Sequence, residues 1–358
     1  MYDVTIIGAG PAGSTLARLI GEKYKVQLID KRELTTSPEK PSTVKCCGGL
    51  LAPDAQKLLS KLGLGLPKSV LVEPQLFVVR AIDTERHLER YYQRHYINID
   101  RQKFDSWLLS MVPLHVDIRL GCNFESYETE NDSFKIKFTD KENTYIDKTK
   151  ILIGADGASS LVHKQAVSKH HSSKPYFAIQ EWVEADSNKF PYFSTVFDPE
   201  ITDYYCWIIP KGKHLIIGAA LNPNDKAPGK FLLLKEKLED FGFRFGKATK
   251  REGALIMRPV RLRQLSTGTK GIALLGEAGG WISPSSAEGI SYALRSAIIL
   301  ARVLNTSLDN FEQRYYKKTR RLRRNIFAKN LKSHFIFNSF LRKMVMKFGF
   351  KSMELYKP

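Results

Sequence analysis

Long apolar runs are missing from this chain of 358 residues: none approaches the roughly 20 residues that a bilayer-spanning helix needs. Cysteine is scarce. The four present, Cys46, Cys47, Cys122 and Cys206, have neither the paired spacing of a zinc site nor the density of a secreted disulfide scaffold. Reduced thiols and no metal are therefore expected. No leader of the secretory or transit type precedes the first apolar strand, so a cytoplasmic protein is expected. Internal repeats and low-complexity linkers are absent, which excludes solenoids and tethered modules. Acidic residues are outnumbered, 37 against 56 Lys and Arg, leaving a formal net charge of +19.

That charge is uneven. Residues 311–358 carry fourteen Lys or Arg against Glu312 and Glu354, a net of +12. Such a segment attracts polyanions. No zinc-finger, helix-turn-helix or RNP signature accompanies it, so no nucleic-acid partner is expected. Phe337, Phe340, Leu341, Met344, Val345 and Phe348 recur at i, i+3, i+4, i+7, i+8 and i+11, which puts them on one helical face with Arg342, Lys343 and Lys347 off it. Two readings fit this pattern. Either the stripe packs on the protein's own core while the basic side is solvated, or it lies in the interface of an anionic membrane, making the protein peripheral on the inner face.

The first thirty residues read as a βαβ unit for an adenine dinucleotide. An apolar strand at 4–7 runs into Gly8, Gly10 and Gly13 in G-x-G-x-x-G spacing, with Ala12 between them as a further candidate cofactor contact, and then a helical stretch at 14–20. Gly8 permits the tight turn, Gly10 admits a pyrophosphate to the backbone, and Gly13 lets helix and strand pack closely. Free N–H groups at the helix start then meet the phosphates. A second strand at 25–29 ends at Asp30 and Lys31, where a carboxylate can accept ribose hydroxyls. The motif alone does not separate FAD from NAD.

Further along, a helix is expected over 51–62, strands over 75–81 and 91–97, a helix over 102–111, and strands over 117–127, 134–139 and 151–153. Residues 176–221 are rich in β-branched and aromatic types, which predicts an antiparallel sheet, and a helix follows over 229–241.

Three segments carry a family resemblance. The stretch Ile153-Gly-Ala-Asp156-Gly157 resembles the second flavin motif of the p-hydroxybenzoate-hydroxylase superfamily of FAD-dependent oxidoreductases. The stretch around Gly276, Glu277, Pro284, Gly289 and Ile290 resembles its third motif, and Asn98 to Asp105 resembles the segment whose arginine, Arg101 here, lies near the flavin. Within that superfamily, Cys46-Cys47-Gly48-Gly49, preceded by Lys45, resembles the K-P-C-G-G loop of the geranylgeranyl reductase family, and the following residues 51–56 resemble its CbrA-type bacterial branch. The resemblance implies FAD as resident cofactor, with NAD(P)H or another electron carrier as a transient reductant because no second dinucleotide motif is present. It implies cofactor contacts at Gly48, Gly49, Arg101, Asp156, Gly157, Glu277, Gly289 and Ile290. It also implies an α/β fold: a Rossmann-like FAD-binding domain (1–70, 98–170 and 250–305) interleaved with an antiparallel β-sheet substrate domain (71–97 and 171–249), plus a C-terminal helical basic tail at 306–358. Asp156 has a second reading, in which it simply holds the turn at Gly157.

On the substrate side, Tyr204-Tyr205-Cys206-Trp207-Ile208-Ile209-Pro210 resembles the Y-x-W-x-F-P motif of geranylgeranyl reductases. On a strand Tyr205, Trp207 and Ile209 point the same way, either walling an apolar substrate pocket or packing in the sheet core. Cys47 is either a proton donor or a small buried apolar residue. The reaction implied is hydride transfer from reduced FAD to a carbon–carbon double bond of an isoprenoid or similar lipid. The alternatives are an FAD-dependent monooxygenase acting on an aromatic or apolar small molecule, and a membrane-associated flavoprotein without turnover.

Overall fold

The computed structural model describes residues 1–34, 46–167, 173–184, 191–223 and 226–356; Lys45, quoted above, lies outside them. The chain divides into two compact units, each drawn from three separate stretches. The first is Met1–Val44, Gln102–Lys174 and Met257–Lys329; the second is Lys45–Arg101, Pro175–Ile256 and Asn330–Pro358. The boundaries differ from those expected. Residues 45–70 go with the second unit, and the basic C-terminal segment is shared between both instead of forming a part of its own.

In the first unit, strands Tyr2–Ile7, Val26–Asp30, Asp117–Leu120, Thr144–Gly154 and Ile272–Leu274 pair in parallel. Val4, Ile6, Leu28, Ile29, Leu152 and Ile153 are buried, as befits strands covered on both faces. Helices Pro11–Ile20 and Ile290–Thr306 close one face through Leu16, Ile20, Ala297, Leu300 and Leu304. Thr144–Gly154 is much longer than the expected 151–153, because its first half alternates the exposed Thr144, Ile146 and Lys148 with the more buried Tyr145, Asp147 and Thr149 in a hairpin with Ser133–Thr139. Gly121 and Cys122 break the expected strand at 117–127 in two.

Among the described residues the second unit is built on an eight-stranded sheet. It is largely antiparallel, but Phe193–Phe197 runs parallel to Leu76–Asp83. One face of Cys206–Lys211 and His214–Leu221 packs under helix Ala227–Glu239, with Cys206, Ile208, Ile217, Leu234 and Leu238 in that core. The strand Ala248–Arg258, not anticipated from the sequence, lies at the sheet edge, and its charged first half is exposed. Edge strands carry such residues because they discourage further pairing.

The basic segment forms three helices, Phe311–Lys318, Arg320–Phe337 and Ser339–Lys347. Phe311, Tyr315, Leu322 and Ile326 enter the first unit's cores. In the second unit Arg342, expected in solvent, is buried: its Nε donates to Asp83 at 2.6 Å and its guanidinium lies 5.1 Å over the Phe197 ring. Among the described residues no helix is long and apolar enough to cross a membrane.

Candidate cofactor and substrate sites

In the first unit the three motif glycines have different surroundings. Gly8 has φ +107°, and a Cβ there would lie 2.4 Å from the Ala155 carbonyl oxygen; one on Gly13 would lie 1.8 Å from the Gly8 oxygen. Those two are glycine because the protein leaves no room. Gly10 caps helix Pro11–Ile20 in an extended conformation open to any residue, and a Cβ there meets only Arg32 Nη2, at 3.8 Å. The space it leaves is therefore a cradle beside a helix N-terminus, not a packing requirement, and it fits a diphosphate. Ala12 is buried in the first turn.

Asp30 departs from its expected role. Its carboxylate accepts from Ala9 N at 2.6 Å, from Arg32 N at 2.7 Å and from the Arg32 guanidinium at 3.0 and 3.1 Å. A carboxylate with four such bonds has little capacity left for ribose hydroxyls. Arg32 also donates to the buried Asp105 at 2.9 Å. Burial opposes its charge, yet the two carboxylates raise the guanidinium's pKa above the ordinary value. Lys31 is exposed, so Arg32 is the cation that faces the cradle, a residue the motif reading passed over. Its signal was slight: a basic residue two places after the strand-end acid.

Asp156 caps the short helix Leu161–Ala166, accepting from Ser160 Oγ at 2.5 Å and Leu161 N at 2.8 Å. Gly157 supplies φ +81° with open space around it. Asp156→Ala is expected to lower stability by roughly 1–2 kcal/mol, as lost caps do, with flavin content unchanged. Thermal melting together with flavin absorbance checks this. Loss of flavin at an unchanged melting temperature would give Asp156 a cofactor role instead. Glu277 lies in the turn Gly276–Gly279, and its Oε1 sits 2.8 Å from where a Cβ on Gly289 would be. Gly289 caps helix Ile290–Thr306, so carboxylate and helix start are brought together. Ser291, in the first turn, is buried with no partner for its hydroxyl among the described residues. An orphaned hydroxyl at a helix N-terminus fits a bound acceptor such as a flavin carbonyl.

In the second unit a loop lies on a strand. A Cβ on Gly48 would come 2.4 Å from Ile209 Cδ1, and one on Gly49, which has φ +62°, would come 2.3 Å from the Ile99 oxygen and 2.6 Å from Lys211 Nζ. The double glycine lets the loop press onto alternate residues of Cys206–Lys211. The face opposite the helix-packed core carries Trp207, Ile209 and Lys211, all buried, with Tyr205 one residue before the strand and its ring 5.7 Å from that of Trp207. Trp207 lies over Gly218 of the neighbouring strand, and its indole N–H has no acceptor among the described residues. Cys47 Sγ accepts from Gly49 N at 3.4 Å and from Arg101 Nη1 at 3.6 Å, so Arg101 and Cys47, chosen separately from the sequence, meet.

Lys211 was not foreseen. Its Nζ donates to the Gly49 and Ile99 carbonyl oxygens at 3.0 and 2.7 Å, which pins the loop. Burial lowers its pKa from the ordinary 10.5 to about 7, against the opposing pull of Cys47 and Asp100. A neutral amine keeps two N–H groups, enough for both carbonyls, so the third proton is held weakly.

The FAD binding domain family matches residues 1–226. The chain belongs to that family. It is a flavoprotein of the FAD-dependent oxidoreductases and monooxygenases, with the mixed α/β fold of that group. Among curated relatives, Protein CbrA of Escherichia coli O9:H4 (strain HS) is 41% identical over 351 residues, 97% of this flavoprotein and 93% of the relative. Protein CbrA of Shigella sonnei (strain Ss046) is also 41% identical, with 97% of each covered. Solved structures share the fold. A geranylgeranyl bacteriochlorophyll reductase-like protein from Thermoplasma acidophilum superposes with a TM-score of 0.77 at 21% identity, covering 96% of this chain and 90% of that one. Pseudomonas aeruginosa PqsL, in complex with 2-aminobenzoylacetate, gives 0.70 at 16% identity, covering 98% and 99%.

Proposed function

We propose that this flavoprotein reduces carbon–carbon double bonds of an isoprenoid or other lipid-like substrate. The observation that carries the reading is the Gly48-Gly49 loop pressed onto a buried strand face of Trp207 and Ile209, with a thiol, Cys47, held in that loop. That strand face is apolar, which suits a hydrocarbon chain, and the indole N–H of Trp207, without an acceptor among the described residues, offers one donor to a substrate oxygen. The cradle at Gly10 with Arg32 would hold the cofactor's diphosphate, and the helix start at Gly289 to Ser291 would face its flavin carbonyls. When bound, FAD supplies a hydride to one carbon and is oxidised, and NAD(P)H or another carrier restores it. The other carbon needs a proton, which Cys47 donates and then recovers from solvent. The sum is two hydrogens added across the double bond.

The test is anaerobic. Photoreduced enzyme mixed with a geranylgeranyl-bearing lipid is expected to regain its yellow absorbance without oxygen, and Cys47→Ala to slow that return roughly a hundredfold at unchanged FAD content. Return of colour only in air, with an oxygen atom inserted, would instead favour the monooxygenase reading. No change in any substrate would leave a flavin-bearing binding protein.

A further inference from the structure

We infer that the last two helices form a preformed docking surface for an anionic phospholipid membrane. The sequence left open whether their apolar stripe packs inward. It does not. Phe335 is 56% exposed, Phe340 66%, Met344 42%, Phe348 80% and Phe350 67%, with Leu331 on the preceding turn 51%. The inward side of Ser339–Lys347 is instead held by Arg342 on Asp83 and by the buried Met346. Asn338 caps the helix on Leu341 N, and Met353 N donates to Tyr91 O beyond it. The helix is thus fixed on its sheet before any partner arrives, so binding requires no ordering of the segment.

Charge selects the occupant. Residues 330–353 contain no Asp or Glu, and the one arginine among them has its charge matched by Asp83 within the protein. What faces outward beside the aromatic rings is Lys332, Lys347 and Lys351, all exposed, with Lys343 half-buried. Phenyl rings fit the acyl boundary and lysines the phosphate layer above it. A second copy of the chain would bring the same positive surface against itself, and an apolar partner would leave the lysines unmatched. The inference stands independently of the reaction catalysed.

The experiment uses full-length, FAD-loaded protein in vesicle flotation. One vesicle set is phosphatidylcholine alone and the other contains about a third phosphatidylglycerol. The protein is expected to float with the anionic vesicles at least about ten-fold more than with the neutral ones, and less in high salt. Two double variants, Phe340→Ser with Phe348→Ser and Lys343→Glu with Lys347→Glu, are each expected to cut binding about ten-fold or more. Their circular dichroism and flavin content should match the parent, since the four side chains lie outside the core. Equal flotation with both vesicle types, or none with either, overturns the inference. So does a concentration-dependent dimer in sedimentation that the phenylalanine pair abolishes while vesicle binding is unchanged.

Discussion

A Gly10→Val protein is expected to purify folded and colourless, its affinity for FAD reduced on the order of a hundredfold or more. Backbone conformation at this position is extended and open to valine, and the nearest atom to a new Cβ is the Arg32 guanidinium at 3.8 Å. The fold therefore has no objection to the side chain; only a diphosphate in the cradle does. Gly13→Val is the contrast. Its Cβ would fall 1.8 Å from the Gly8 carbonyl oxygen, so helix and strand separate and the protein is expected not to fold. Circular dichroism with the ratio of flavin to protein absorbance distinguishes the two. A yellow Gly10→Val protein would move the cofactor away from this helix.

Stability of the parent is expected to climb between pH 7 and 8.5, and Lys211→Met to remove that climb. The folded lysine loses its proton near pH 7, whereas in the unfolded chain it does so near 10.5. Between those values the unfolded state binds more protons, so unfolding becomes harder as pH rises, by up to about 1.4 kcal/mol per pH unit. Below pH 7 the buried charge weighs on the fold in full. Burial also pushes the Cys206 thiol up, with opposite sign, so its contribution falls as pH rises through the ordinary thiol range. Ending the series at 8.5 keeps that opposing effect small. Denaturant titrations at each pH give the slope for both proteins. Equal slopes would mean that Lys211 is not the titrating group.

Much of this was legible in the sequence because local geometry dictated it. Gly8, Gly10 and Gly13 occupy the turn and helix start that their spacing implies, since steric rules at a strand-to-helix turn are local. Trp207 and Ile209 share a face because a strand alternates. The misses are tertiary. Asp30 was read as free for ribose, but its partner Arg32 is held in place by Asp105, 73 residues further along the chain. Arg342 falls off the apolar stripe by helical period, yet a buried carboxylate 259 residues away draws it inward and leaves Phe340, Met344 and Phe348 facing outward. Lys211 reads as an ordinary turn lysine after a proline. The one clue was its place at the same alternate spacing as Trp207 and Ile209, on a strand whose residues are all buried.

The most direct measurement is mass spectrometry of a native membrane-lipid extract incubated with the photoreduced enzyme, with and without oxygen. The account predicts a lipid that gains two hydrogens, about 2 mass units, when oxygen is excluded. An oxygen-dependent gain of a single oxygen atom, with no hydrogenated product under anaerobic conditions, would contradict it.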